Sequence, residues 1–360
     1  MVKDVVAYFI AGPDDYTKID YSIVTKVAYA YVFVKPDGSL QRPAYDPKPL
    51  ISHVHAQGRK IILSFQIVGR PETDQFLANS TARSNAITNL LNEVKALGLD
   101  GINNDIEEAS FPNNSVTGQP QKPLMTAFQT LLYDRFKASN AAYDVSFAVR
   151  AYYPESDLIY DMALLKNKCD AMYLMTYEWT GLWSTIAGPD APQRLDNDMG
   201  NIDSIEHYAK LISKDKLYFG IPWFGHEFTT VDNTRLASRV AGTPVKDLFY
   251  SDWIKQALQN VKYDTTWETP WYSYPDTSGH YIQGHYENLQ SLGAKLDYVN
   301  RAKLGGVLIW AANYGLNNRE LWTQLKQKIT IGMINNTTIT IGMLVIILFL
   351  VFFLTYGSDI

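Results

Sequence analysis

The chain has 360 residues, 32 basic against 37 acidic for a net charge of −5, with 46% hydrophobic and 13% aromatic residues and one cysteine, Cys169. That composition excludes a disordered chain. With no run of Lys or Arg it offers no footprint for a nucleic-acid backbone, so no nucleic-acid partner is expected.

From the N-terminus, MVKDVVAYFIAG has no apolar run followed by a small-residue cleavage site, so no signal peptide is expected. Eight β-rich apolar runs then follow, at 5–10, 26–33, 60–66, 101–106, 145–149, 171–177, 217–223 and 306–311. Between the third and fourth, Ala86, Ile87, Leu90, Leu91, Val94 and Leu97 recur at helical spacing, and Gly98 is placed to stop the helix 82–97. Helical patterns at 124–137 and 203–212 supply further crossovers of the kind parallel strands require. The expected fold is α/β: a (β/α)8 TIM barrel over residues 1–328, with its active site at the C-terminal ends of the strands. The span 226–286 between the seventh and eighth strands is too long for an ordinary βα loop and predicts an inserted lobe over the mouth, with a helical pattern at 245–261.

The other end changes character. No charge occurs from Ile329 to Ser358, and 341–354 is almost wholly aliphatic or Phe. A linker at 329–337 and a single-pass membrane helix at 338–356 are expected, just long enough to span. Lys326 and Lys328 before it, against Asp359 after it, lean toward a cytoplasmic catalytic domain, a weak bias that leaves the side open.

The fourth strand reads Leu-Asp-Gly-Ile-Asn-Asn-Asp-Ile-Glu from Leu99 to Glu107, so period-2 alternation places Asn103, Asp105 and Glu107 on one face, toward the barrel interior. Two carboxylates roughly 7 Å apart along a strand are costly in a core unless used or hydrogen-bonded. One ionised carboxylate resists ionisation of the other, which keeps a proton donor available near neutral pH. A water-filled or salt-bridged interior is the structural alternative. Asn104, on the opposite face, stands where an apolar residue is expected.

This segment resembles the DGxDxDxE signature of family 18 glycoside hydrolases, the chitinase family. Met175-Thr176-Tyr177-Glu178 resembles its MxYD element, Gly220-Ile221-Pro222-Trp223-Phe224-Gly225 its GxPxYG element, and Gly305 to Trp310 its eighth strand with a terminal Trp. Within the family, Gly-Ile-Asn before Asn104-Asp105, Pro222-Trp223 and the stretch 271–280 look most like the branch acting on short N-acetylglucosamine chains. The resemblance implies that Glu107 is the general acid/base, that Asp105 orients the substrate's acetamido group and that Tyr177 bonds its carbonyl. It implies Trp310 as the floor of the cleavage subsite, with Asn103, Glu178 and Trp223 as further substrate-binding positions. Asn103 replaces the family's commoner Asp, and Glu178 is one methylene longer than the Asp expected there. Attack on C1 would come from the substrate's own acetamido oxygen.

The partner implied is an N-acetylglucosamine oligosaccharide; no cofactor and no metal are implied. An endo-acting chitinase or endo-N-acetylglucosaminidase is the rival within enzymes, and a non-catalytic chitin-binding lectin the rival outside them. His53 and His55, two apart in an expected helix, share no face for a metal. Trp179, Trp183, Trp223, Trp267 and Trp271 fall in or near the expected mouth loops, where they stack on sugar rings or simply pack. Sequons stand at Asn79 and Asn113.

Overall fold

In the computed structural model, which describes residues 4–107, 112–152, 154, 159–196, 199–253 and 261–329, the strands appear in chain order as β1 (Asp4–Ile10), β2 (Lys26–Val34), the short β3 (Leu40–Gln41), β4 (Lys60–Gln66), β5 (Gly101–Asn104), β6 (Asp144–Arg150), β7 (Ala171–Met175) and β8 (Leu217–Pro222). An inserted group follows, β9 (Phe224–Thr230), β10 (Lys246–Phe249), β11 (Lys262–Asp264), β12 (Thr269–Pro275) and β13 (Tyr281–His285), and then β14 (Gly306–Trp310). The order β1-β14-β8-β7-β6-β5-β4-β2 is parallel throughout, and β1 pairs with β2 to close the ring. This is the expected (β/α)8 barrel.

Alternation along each strand divides the core in two. Val5, Ala7 and Phe9 of β1 pack outward under the helices, while Val6 and Tyr8 point into the barrel. The interior pairs large rings, Tyr8, Tyr173 and Tyr218, with small residues such as Ala28, Ala30 and Ala148, which leaves the rings room. In β2 the register shifts between Ala30 and Val32, so Ala30 and Tyr31 both pack toward the interior. That bulge brings a tyrosine to the mouth that strict alternation would put outside.

The crossover helix Ser80–Leu97 is capped by the Asn79 side chain, which accepts from the Ala82 N–H, and ends at Gly98 with φ of 68°. The helices expected at 124–137 and 203–212 are Gln121–Ser139 and Asn201–Tyr208. β5 and β7 stop two residues short of expectation because the chain leaves the ladder for the mouth loops, although the Asp105 N–H still donates to the Phe65 carbonyl at 3.0 Å.

The inserted lobe is a five-stranded antiparallel sheet, β10-β9-β13-β12-β11. It corrects the helical pattern expected at 245–261. Lys246–Phe249 is a strand paired with β9, followed by one helical turn, Tyr250–Trp253, and 254–260 lies outside the described residues. Pairing with β9 satisfies this backbone and buries Leu248 against Tyr272 and Tyr286, which outweighs a local helical period. The linker and membrane helix expected at 329–337 and 338–356 lie, apart from Ile329, outside the described residues; among the described ones no helix is long and apolar enough to cross a membrane.

Candidate active site

The C-terminal ends of the barrel strands build the site. Gly220 on β8 shows how closely they approach: a Cβ there would stand 2.4 Å from the Leu174 carbonyl oxygen and 2.8 Å from the Tyr177 ring. Only a residue without a side chain lets Tyr177 take its place at the mouth. The neighbouring Thr176 hydroxyl donates to the Gly220 carbonyl at 2.6 Å and fixes the end of β7.

The inward row of β5 rises from floor to mouth. Asn103 is fully buried, and its amide donates to the Tyr8 hydroxyl at 2.9 Å and the Ser64 hydroxyl at 3.1 Å while its oxygen accepts from Ser146 at 3.0 Å. These bonds place it beneath the site as a strut, not open to a ligand, which corrects its expected substrate contact. Asp105, 3% exposed, accepts from the Tyr31 hydroxyl at Oδ2, 2.8 Å. Its Oδ1 is buried with no hydrogen-bond partner among the described residues. At the top, Glu107 Oε1 accepts from the Gln66 amide at 2.7 Å.

Burial raises the proton affinity of both carboxyls. For Asp105 the Tyr31 hydrogen bond works against it, whereas for Glu107 the charges of Asp105 and Glu178 add to it and Arg150 and Gln66 oppose it. Glu107 is pushed further up than Asp105, so a protonated Glu107 beside an ionised Asp105 is the favoured arrangement near neutral pH.

Two cavities meet at this row. One, of 220 Å³, is lined by Tyr8, Tyr31, Asp105, Gln66 and Trp310; the other, of 290 Å³, by Arg150, Tyr152, Trp179 and Trp183. Glu107, Met175, Tyr177 and Glu178 line both and form the boundary. Trp310 lies 5.4 Å from Tyr8 and 5.8 Å from Tyr31, ring centre to ring centre, as an aromatic wall of the first cavity. Glu178 adopts a left-handed conformation, φ 58°, and its N–H donates to Asp190 Oδ1 at 3.1 Å.

Glu107, Asp105, Tyr177, Glu178 and Trp310 therefore come together. Trp223 does not. Leu217, Phe219, Ile221 and Trp223 share the outer parity of β8, and Trp223, 1% exposed, packs edge-on against Trp322 at 4.7 Å. Trp267 is buried under the Arg235 guanidinium and Trp271 lies parallel to His285, whereas Trp179 and Trp183 line the second cavity. Asn104 is also accounted for: its amide donates to Gln129 Oε1 at 3.0 Å, and the Gln129 amide donates on to the Lys168 carbonyl at 3.3 Å. Tyr31, Gln66 and Arg150 were not legible beforehand. Tyr31 depends on the bulge in β2, and Gln66 and Arg150 end strands whose relative heights only the barrel stagger sets.

Residues 4–315 match Glycosyl hydrolases family 18, and the chain belongs to that family. It is a glycosidase of the chitinase and chitobiase type. Among curated proteins it is 27% identical to di-N-acetylchitobiase of Homo sapiens over 352 residues, covering 90% of this chain and 84% of that protein. It is 22% identical to a probable endochitinase of Caenorhabditis elegans, covering 84% of this chain and 53% of that one. The Ostrinia furnacalis Group IV chitinase, solved in complex with allosamidin, shares the fold with a TM-score of 0.77 at 19% identity, covering 92% of this chain and 99% of that one.

Proposed function

We propose that this chain is a retaining hydrolase of β-1,4-linked N-acetylglucosamine oligosaccharides, acting through the substrate's own 2-acetamido group, as the resemblance to di-N-acetylchitobiase implies. The observation that carries the reading is Asp105: Tyr31 holds one oxygen, and the other is a buried acceptor without a partner among the described residues, one inward position below Glu107. An acetamido N–H supplies the donor that such an acceptor lacks.

With a sugar over Trp310, Glu107 protonates the glycosidic oxygen as the C1–O bond breaks, and the acetamido carbonyl oxygen bonds to C1 to form an oxazolinium ion. Asp105 accepts the N–H of that ion and offsets its positive charge, while the Tyr177 hydroxyl bonds the acetamido oxygen. The Glu107 carboxylate then takes a proton from water, whose oxygen attacks C1 as the bond from C1 to the acetamido oxygen breaks, which restores the acetamido group and the protonated Glu107 and releases the β-anomer. Glu178, its proton affinity raised by burial and by Asp190, serves the rim of the site.

The cavity beside Trp179 and Trp183 receives the leaving part. Trp183 is 58% exposed, and this open platform favours an endo-acting variant of the reading as the runner-up. Product analysis on chitobiose, longer chitooligosaccharides and a chitobiose-core glycan tests both: monosaccharide from chitobiose supports the first, oligomers from the interior of long chains the second, and no product from any of them rejects both. The membrane helix at 338–356 is part of the proposal on hydropathy alone; recovery of the full-length protein in a detergent-free soluble fraction would remove it.

A further inference from the structure

Behind Glu178 the site is backed by a line of charged groups that the chemistry above leaves unused. Asp190 is 2% exposed; besides accepting the Glu178 N–H through its side chain, it accepts the Trp179 N–H at its backbone carbonyl, 3.0 Å. On its far side stands His226 of β9, 4% exposed, with Nε2 3.2 Å from Asp190 Oδ1 and Nδ1 3.1 Å from Asp247 Oδ1. Asp247 is the residue of β10 directly opposite His226 in the inserted sheet, and its side chain is half exposed. The line thus runs from the catalytic boundary, through two buried groups, to the surface of the lobe.

We infer that His226 is a positioning residue: as an imidazolium between Asp190 and Asp247 it anchors Asp190, Asp190 holds the left-handed turn that sets Glu178, and the inserted lobe is thereby coupled to the sugar-binding boundary. The inference rests on the proposed function for what the site binds. It rests on geometry for the coupling. A left-handed conformation at Glu is strained and persists only where its surroundings fix it, and the fixing bond here comes from a buried carboxylate that needs a countercharge.

The groups facing His226 are Asp190 and Glu178 from the segment after β7, Asp247 from β10 and His285 from β13, which lies opposite it in the sheet. Burial disfavours its charged form, but the three carboxylates prevail and raise its proton affinity above that of an ordinary histidine. His285, wholly buried, is pushed the other way, to about 3, and stays neutral. The imidazolium is therefore present at acid pH, persists to higher pH than that of an ordinary histidine, and is lost as pH rises through the raised value.

The test compares full-length wild type and His226→Gln on chitobiose from about pH 4 to about pH 9. The ratio of their kcat/KM values cancels the ionisations of Glu107 and Asp105. The ratio is expected to be about tenfold at acid pH and to fall toward one as the wild-type imidazole loses its proton. A ratio near one throughout, or a large ratio constant with pH, overturns the inference. Should His226→Gln fail to fold, Asp247→Asn changes only a half-exposed partner. It should match wild type at low pH and lose activity at a lower pH than wild type on the alkaline side, and coincidence at every pH overturns the inference. A third readout needs no sugar: the Glu178 amide resonance should titrate together with the His226 ring, and an amide that does not move contradicts the coupling whatever the substrate proves to be.

Discussion

The Tyr31 hydroxyl donates to Asp105 Oδ2 at 2.8 Å, from a strand separated from β5 by β4, and so fixes the carboxylate beneath Glu107 from the side. The bond favours the charged form of Asp105 against its burial. Tyr31→Phe should therefore raise the Asp105 pKa further, move the acid limb of the kcat/KM profile to higher pH, and lower kcat by about tenfold. An unchanged acid limb would show that Tyr31 only fills space.

Glu107→Gln keeps the shape of the acid and the Gln66 contact region but removes the proton. Its kcat should fall by at least about a hundredfold, with sugar binding retained. Asp105→Asn should also lose activity, through weaker stabilisation of the oxazolinium ion; a loss below about threefold would make Asp105 structural. Isothermal titration of the Gln variant with chitobiose separates binding from turnover.

The same residue carries a stability prediction. Glu107 has its pKa raised in the folded chain above the ordinary 4.5, and such a group contributes stability at low pH that is lost as pH rises through the folded value. Glu107→Gln loses no such contribution. Its Tm should match wild type at pH below about 4 and exceed it by a few degrees at pH 8. Thermal melts across pH read this directly, and a gap that does not widen with pH would contradict it.

Trp223 and Trp310 should part company. Trp223→Ala opens a hole against Trp322 and should destabilise the fold by about 3–5 kcal/mol, measured by denaturant unfolding, with no selective effect on KM. Trp310→Ala should instead raise KM by about tenfold or more, with little change in unfolding midpoint.

How far the sequence carried this picture depends on which physical rule each residue obeys. The barrel was legible because strands buried on both faces show as apolar runs, and all eight lie within a residue or two of their expected bounds. Asp105 and Glu107 were legible because alternation along β5 alone puts them on one face. Trp223 was misplaced although alternation along β8 already assigned it the outer side, with Phe219 and Ile221; there the motif outweighed the parity. Tyr31 depends on a bulge with no local signal, and Asn104 on a partner 25 residues away in sequence. The line from Glu178 to Asp247 joins three separate segments, which only the closed barrel and its inserted sheet bring together.

The central claim is that the substrate's acetamido oxygen, and no carboxylate of the enzyme, attacks C1. NMR of the sugar released at its newly freed C1, recorded in the first moments of hydrolysis of chitobiose with cellobiose as the paired control, tests it most directly. The account predicts initial release of the β-anomer from chitobiose and no reaction of cellobiose, which lacks the acetamido group. Initial α-anomer, or cleavage of cellobiose at a comparable rate, would contradict it.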